Sequence, residues 1–162
     1  GLVGKVTITQ PATGSTLTIA DGKTLTVSGD VTMGGAWTTP TFAAGNFTAS
    51  GSMTWTVEAA DVVTYAYQIV GKIMTVLFMI DNTTVGGTLS TALNILVPES
   101  KTVTKYSFAV CQTTDNGTWG LGVCYANPGS GTIIINLSAI TANWAASTNA
   151  TRVAGQITFE IS

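Results

Sequence analysis

The chain has 162 residues, room for one domain of ordinary size plus a small appendage. Only 9% of its residues are charged, against about 25% in a typical soluble domain, and its mean hydropathy is +0.40. Four Trp, five Phe and many Ile, Val and Leu exclude a disordered chain, and a net charge of −2 with Lys and Arg scattered singly argues against a nucleic-acid partner.

The first thirty-odd residues repeat a short β pattern. Val6-Thr7-Ile8, Leu17-Thr18-Ile19, Leu25-Thr26-Val27 and Val31-Thr32-Met33 all read apolar-Thr-apolar, with turn signals at Asp21-Gly22-Lys23 and Gly29-Asp30. Such short units, at roughly eight-residue spacing, cannot bury a one-sided apolar face alone. The simplest cover is another copy of the same chain. Residues 1–35 are therefore expected to form the end of an intertwined fibre shaft, a trimeric β-prism or β-helix-like segment. Residues 36–162 are expected to form a head. Met33-Gly34-Gly35-Ala36 reads as a hinge, and Trp37 is placed to plug the base of the head.

From Phe42 the period lengthens to full strands. Ser52–Val57 alternates with Met53, Trp55 and Val57 on one face; Asp61–Val70 follows, with Tyr65, Tyr67 and Ile69 on one face. Gly71-Lys72 reads as a two-residue hairpin turn of type II′. Ile73–Ile80 is apolar on both faces, so it is expected at a sheet centre or between the core and a subunit interface. Asn82–Gly87 reads as a loop. Further strands are expected at Leu89–Val97, Lys105–Thr113, Thr118–Asn127, Thr132–Leu137 and Thr151–Ile161. No stretch has a helical period, and eight or nine strands in about 120 residues predict an all-β head, an antiparallel β-sandwich of jelly-roll type. No apolar run nears the roughly 20 residues of a spanning helix.

The absence of histidine excludes histidine-based catalysis and histidine zinc ligands. The eight carboxylates are dispersed, whereas a glycosidase needs two on one bond. Asp61, Asp81 and Asp115 could converge in space, yet each also fits a turn. The expectation is no enzyme activity, no cofactor and no metal. Cys111 and Cys124 lie almost symmetrically about Asn116-Gly117. They face each other if Val110 pairs with Tyr125, and the reading is two small free thiols in a packed sheet. Five Asn-x-Ser/Thr sequons follow from the high threonine content and carry no glycosylation reading.

Asp115-Asn116-Gly117-Thr118-Trp119 is a turn that also sets a carboxylate, an amide and an indole side by side. That combination suits a sugar: the indole stacks on the ring while Asp and Asn bond its hydroxyls. Trp119 equally fits a core position. Asn143-Trp144 with Ser147-Thr148-Asn149 is a second loop of this kind. The candidate ligand-facing set is Asp115, Asn116, Trp119, Trp144 and Asn149, and alanine at these positions is expected to remove binding without lowering the melting temperature. Trp55 and Tyr67 read as core or interface.

Val6-Thr7-Ile8-Thr9-Gln10-Pro11-Ala12-Thr13 and Leu17-Thr18-Ile19-Ala20-Asp21-Gly22-Lys23-Thr24-Leu25-Thr26-Val27 resemble the shaft repeats of tail-fibre proteins from tailed bacteriophages. Tyr67–Val76, Asp115-Asn116-Gly117 and Gly155–Ile161 are similar to their C-terminal receptor-binding heads. The resemblance implies a homotrimer at the tip of a virion tail fibre, assembled in the host cytoplasm. It implies extracellular binding to a bacterial surface glycan or outer-membrane protein, with neither nucleic acid nor membrane insertion. A purely structural virion decoration or trimerisation module is the alternative, and a fragment of a capsule or lipopolysaccharide depolymerase the third.

Overall fold

Nine antiparallel strands account for most of the computed structural model, which describes residues 35–162; the expected shaft segment lies outside the described residues except for Gly35. The strands are β1 (Phe47–Ala49), β2 (Met53–Thr56), β3 (Val62–Val70), β4 (Ile73–Gly87), β5 (Ala92–Leu96), β6 (Ser107–Asp115), β7 (Thr118–Ala126), β8 (Thr132–Leu137) and β9 (Ser147–Glu160). Three short 3-10 turns, Ala44–Asn46, Ala59–Asp61 and Pro98–Ser100, connect them.

The order is β1-β5-β8-β7-β6-β9-β4-β2, with β3 also on β4. An expected sandwich would split these strands between two sheets. Instead one ladder runs unbroken from β1 to β2 and curls towards a barrel. No ladder joins β1 to β2, and aromatic rings fill that seam: Phe47 of β1 meets Trp55 of β2 edge-on at 5.6 Å and Tyr65 of β3 at 5.7 Å. Trp55 and Tyr67 are buried, as the alternating pattern requires.

Inward-pointing Met74, Val76, Phe78 and Ile80 of β4, Leu93 and Ile95 of β5, Ile133 and Ile135 of β8, and Val153 and Ile157 of β9 form the core. The turn between β3 and β4 is tight: Gly71 has φ +61° while Lys72 does not share a positive φ, consistent with type II′. The outer side of Ile73–Ile80 is only partly covered, with Ile73 and Leu77 exposed.

Residues 82–87, expected as a loop, continue β4. Thr83 pairs with Thr151 of β9, and Thr84 to Gly87 pair with β2. A bulge at Asp81-Asn82 shifts the register, with Asn82 at φ +56°. Of the Asn82-Thr83-Thr84 run only Thr83 is buried, and it survives inside the barrel because its hydroxyl is bonded there. Trp55 Nε1 donates to Thr83 Oγ1 at 2.8 Å, Thr83 Oγ1 donates to the Thr151 carbonyl at 3.0 Å, and the Ser147 and Thr151 hydroxyls lie 2.6 Å apart.

The β6–β7 register differs from the one that would oppose the two cysteines. Asn116 (φ +45°) and Gly117 (φ +80°) make a two-residue turn of type I′, so Asp115 pairs with Thr118 and Cys111 falls opposite Gly122. Cys124 pairs with Ala109; both thiols are free, buried and diagonal neighbours. The adjacent Cys124 thiol, with burial, pushes the Cys111 thiol up.

The barrel has two distinguishable ends. Residues 35–47 join at one: Thr38 bridges to Tyr67, and Phe47 pairs with Ile95. That end also holds the β3–β4 turn and the β5–β6 and β7–β8 connections. The β6–β7 turn and the β8–β9 loop lie at the other, far end.

Candidate functional site

The far end gathers three irregular pieces of backbone, each made by residues that tolerate left-handed φ. The β6–β7 turn has its Asn-Gly pair. The β4 bulge has Asn82. The start of β9 has Asn149 at φ +50°. Hydrogen bonds lock them together. Gly117 N–H donates to the Ala150 carbonyl at 2.8 Å. Asn149 N–H donates to Thr84 Oγ1, and that hydroxyl donates to Asn149 Oδ1, both at 3.1 Å.

Between these pieces opens a cleft of about 390 Å³, bordered by Asp81, Asn82, Trp119, Asn149, Ala150 and Arg152. Trp119 stands beside it with 66% of its surface exposed. The opposite wall is an ion pair. Arg152 Nε donates to Asp81 Oδ1 at 2.8 Å, and its Nη2 donates to Oδ2, a bidentate arrangement. The Arg152 guanidinium holds the Asp81 carboxyl below the usual carboxylate range, and the Asn82 N–H adds to this. Asp81 is thus ionised at neutral pH, an acceptor rather than an acid.

On the other side of Trp119 lies a second cleft of about 420 Å³, bordered by Asp115, Asn116, Leu121, Leu137, Ser138 and Ala142. Trp119 is a partition with a cleft on each side. The described residues present a third cleft at the near end, about 410 Å³, beside Glu99 and Ser100. Two of its lining residues are already engaged, since Glu99 Oε1 accepts from Tyr67 Oη and Tyr65 Oη donates to the Leu96 carbonyl.

Of the five expected ligand-facing residues, Asp115, Asn116, Trp119 and Asn149 come together at the far end. Trp144 does not. Its side chain is fully buried within the β8–β9 loop, its backbone N–H donates to the Ser90 carbonyl, and it lines neither cleft. Its neighbours Asn143 and Ser147 gave it the look of a loop aromatic, but the loop folds the ring inward as a plug. Trp37, expected to plug the base, is instead 49% exposed. Asp115 is partly committed, because its Oδ1 accepts from the Ala145 N–H at 2.9 Å.

Sequence reasoning missed Asn82 and Arg152 and weighed Asp81 only as a converging acid or a turn residue. Arg152 and Asp81 are 71 positions apart, so no local pattern links them. The available signal was Arg152 itself, the sole arginine of the chain, in a strand whose one other charged residue is Glu160. The three carboxylates do not converge in one cleft. Asp81 borders the first and Asp115 the second, while Asp61 Oδ2 accepts from the Glu58 N–H in a capping box. Among the described residues, no group of three His, Cys, Asp or Glu side chains could hold a metal.

No protein-family model, curated protein or solved structure matches the chain.

Proposed function

We propose that this chain is the distal part of a bacteriophage tail fibre, a shaft end followed by a head that adheres to a glycan or outer-membrane protein of the host surface. The observation that carries the reading is Trp119, a largely exposed indole at the end of the barrel opposite to where residues 35–47 join it, with polar side chains fixed on both sides. An exposed indole offers a flat apolar face to a sugar ring. Asn82, Asn116 and Asn149 offer amides to hydroxyls, and Asp81 and Arg152 offer an acceptor and donors. All stand on hydrogen-bonded strand ends, so little ordering is needed on binding.

In this reading three copies act together, as the tail-fibre resemblance implies, and the shaft belongs to residues 1–35. Weak clefts repeated on one assembly gain avidity of about a hundred-fold or more on a surface that repeats its ligand. Virion location at the fibre tip and function outside the host cell follow from the same reading. Adhesion without catalysis is supported by the held-apart carboxylates and by the ionised state of Asp81. An apolar barrel interior, the reverse of an outer-membrane barrel, supports a head that does not insert into the membrane.

The test is a fluorescent fusion of the whole chain applied to a broad panel of bacterial strains, with Trp119→Ala alongside. Staining of some strains, lost in Trp119→Ala at unchanged melting temperature, is expected. Equal staining by the variant overturns the site. Staining of no strain favours a structural fibre-tip module, a reading that the exposed apolar side chains of β6 and β7 also suit. Release of reducing sugar from capsule or lipopolysaccharide by the chain alone would overturn the non-catalytic reading.

A further inference from the structure

Strands β6 and β7 depart from a polar outer face more completely than β3 and β4, where the exposed Val70, Ile73 and Leu77 are interspersed with polar positions. In a sheet with one wet face, outward positions are polar. Across β3, β4 and β9 the outward positions include Gln68, Thr75, Gln156 and Thr158, with the Thr75 and Thr158 hydroxyls 2.9 Å apart. Across β6 and β7 the outward pairs are Phe108–Tyr125, Val110–Val123, Gln112–Leu121 and Thr114–Trp119. Tyr106 extends the row, its ring 6.3 Å from that of Tyr125. Five of the thirteen exposed large apolar side chains among the described residues, Tyr106, Phe108, Val110, Trp119 and Leu121, belong to this one hairpin and its lead-in. Their partners in alternation, Cys111, Thr113, Gly122 and Cys124, are buried in the core. The hairpin is apolar on both faces, and only one face is covered.

We infer that the outer face of the β6–β7 hairpin is where copies of this chain pack against one another. Tyr106, Phe108, Val110 and Leu121, with Trp119 left at the rim to border the clefts, present on the order of 450 Å², more than half of the roughly 800 Å² that one partner brings to a standard-size interface. The outward positions of the two strands hold no charged residue, so the face meets its own copy with no repulsion and no stranded ion. A different protein partner would be selected by complementary charge, and an anionic bilayer by Lys or Arg, and this face has neither. Trp119 stands at the far end of the stripe, so packing along it brings the clefts of neighbouring copies to one end of the assembly. The inference stands on the exposed face and not on the ligand reading.

The experiment uses the whole 162-residue chain. Light scattering and sedimentation at micromolar concentration give the mass, and hydroxyl-radical footprinting gives the accessibility of Phe108 relative to Phe42. In a lone chain Phe108 is the more exposed of the two, 59% against 38%. A multiple of the chain mass, with Phe108 labelled several-fold more slowly than Phe42, is expected. Val110→Lys with Leu121→Lys should lower the mass or raise Phe108 labelling above that of Phe42, while Val63→Lys with Val70→Lys should change neither. Both pairs of positions point outward, and a melting curve checks that each variant folds. A monomeric chain overturns the inference, whether or not the face is covered by the chain's own residues 1–34. So does a multimer in which Phe108 labels faster than Phe42. Because cell staining is not read, failure here leaves the glycan or receptor reading to its own test.

Discussion

The Asp115 carboxylate accepts a hydrogen bond from the backbone N–H of Ala145, 2.9 Å away and 30 positions along the chain. The bond ties the β6–β7 turn to the loop that buries Trp144, so one side chain both borders a cleft and holds the far end together. Asp115→Ala should therefore lower stability by about 1–2 kcal/mol, since it strands a partly buried N–H and removes a charge-assisted bond. Chemical denaturation measures this. The sequence-based expectation of an unchanged melting temperature applies to Trp119 but not to Asp115.

Trp144→Ala should cost about 3–5 kcal/mol, the range for removing a large buried aromatic. The indole N–H has no partner in the structure. Trp144→Phe therefore gives up no hydrogen bond and should cost clearly less than Ala. Equal losses for Phe and Ala in urea titrations would mean that the indole nitrogen is bonded in solution. Neither variant is expected to affect ligand contact except through unfolding.

Gly122→Ala tests the close approach of β7 to β8. A Cβ at this position would lie 2.5 Å from the Asn136 backbone oxygen and 2.5 Å from Thr113 Cγ2. The Thr113 methyl can be trimmed but the carbonyl cannot. A loss of about 1–3 kcal/mol is expected, and Thr113→Ser should not rescue it. Gly117→Ala meets no atom within 4 Å but holds φ +80°, so its cost should be nearer 1 kcal/mol. Thermal melts of the two variants compare crowding with backbone strain on one hairpin.

Burial, with the neighbouring Tyr67, raises the Tyr65 hydroxyl from 10.0 to about 12. A folded value above the unfolded one means that the stabilisation is complete below pH 10 and is lost as pH rises towards 12. The loss should be on the order of 2–3 kcal/mol, two pH units at about 1.4 kcal/mol each. Melting temperatures from pH 9 to 12 should fall in wild type and fall less steeply in Tyr65→Phe. A parallel fall in both would place the alkaline transition elsewhere.

Much of the fold is legible because a strand has a period of two and a turn has few residues to choose from. Met53 and Trp55, Tyr65 and Tyr67, and the Gly71-Lys72 and Asn116-Gly117 turns follow from local pattern. Asn82-Thr83-Thr84 does not, because Asn suits a loop and a bulge equally. Only pairing with β2 and β9, and the Trp55 indole above Thr83, decide for a strand. The candidate site divides the same way. The turn residues Asp115, Asn116 and Trp119 announce themselves, whereas the fate of Trp144 depends on a loop that folds over Asn136, whose Nδ2 donates to the Thr91 carbonyl.

By itself, the sequence determined that this chain is β throughout from Phe47 onwards, which residues face inward on most strands, and that histidine plays no part in its chemistry. Only the tertiary structure decided that the strands form one curled sheet, that Trp119 is exposed while Trp144 is buried, and that Asp81 meets Arg152. The reason is physical. Alternation and turn preference act over two to four residues, while closure, register across a bulge and the direction of a loop tryptophan depend on partners tens of residues away.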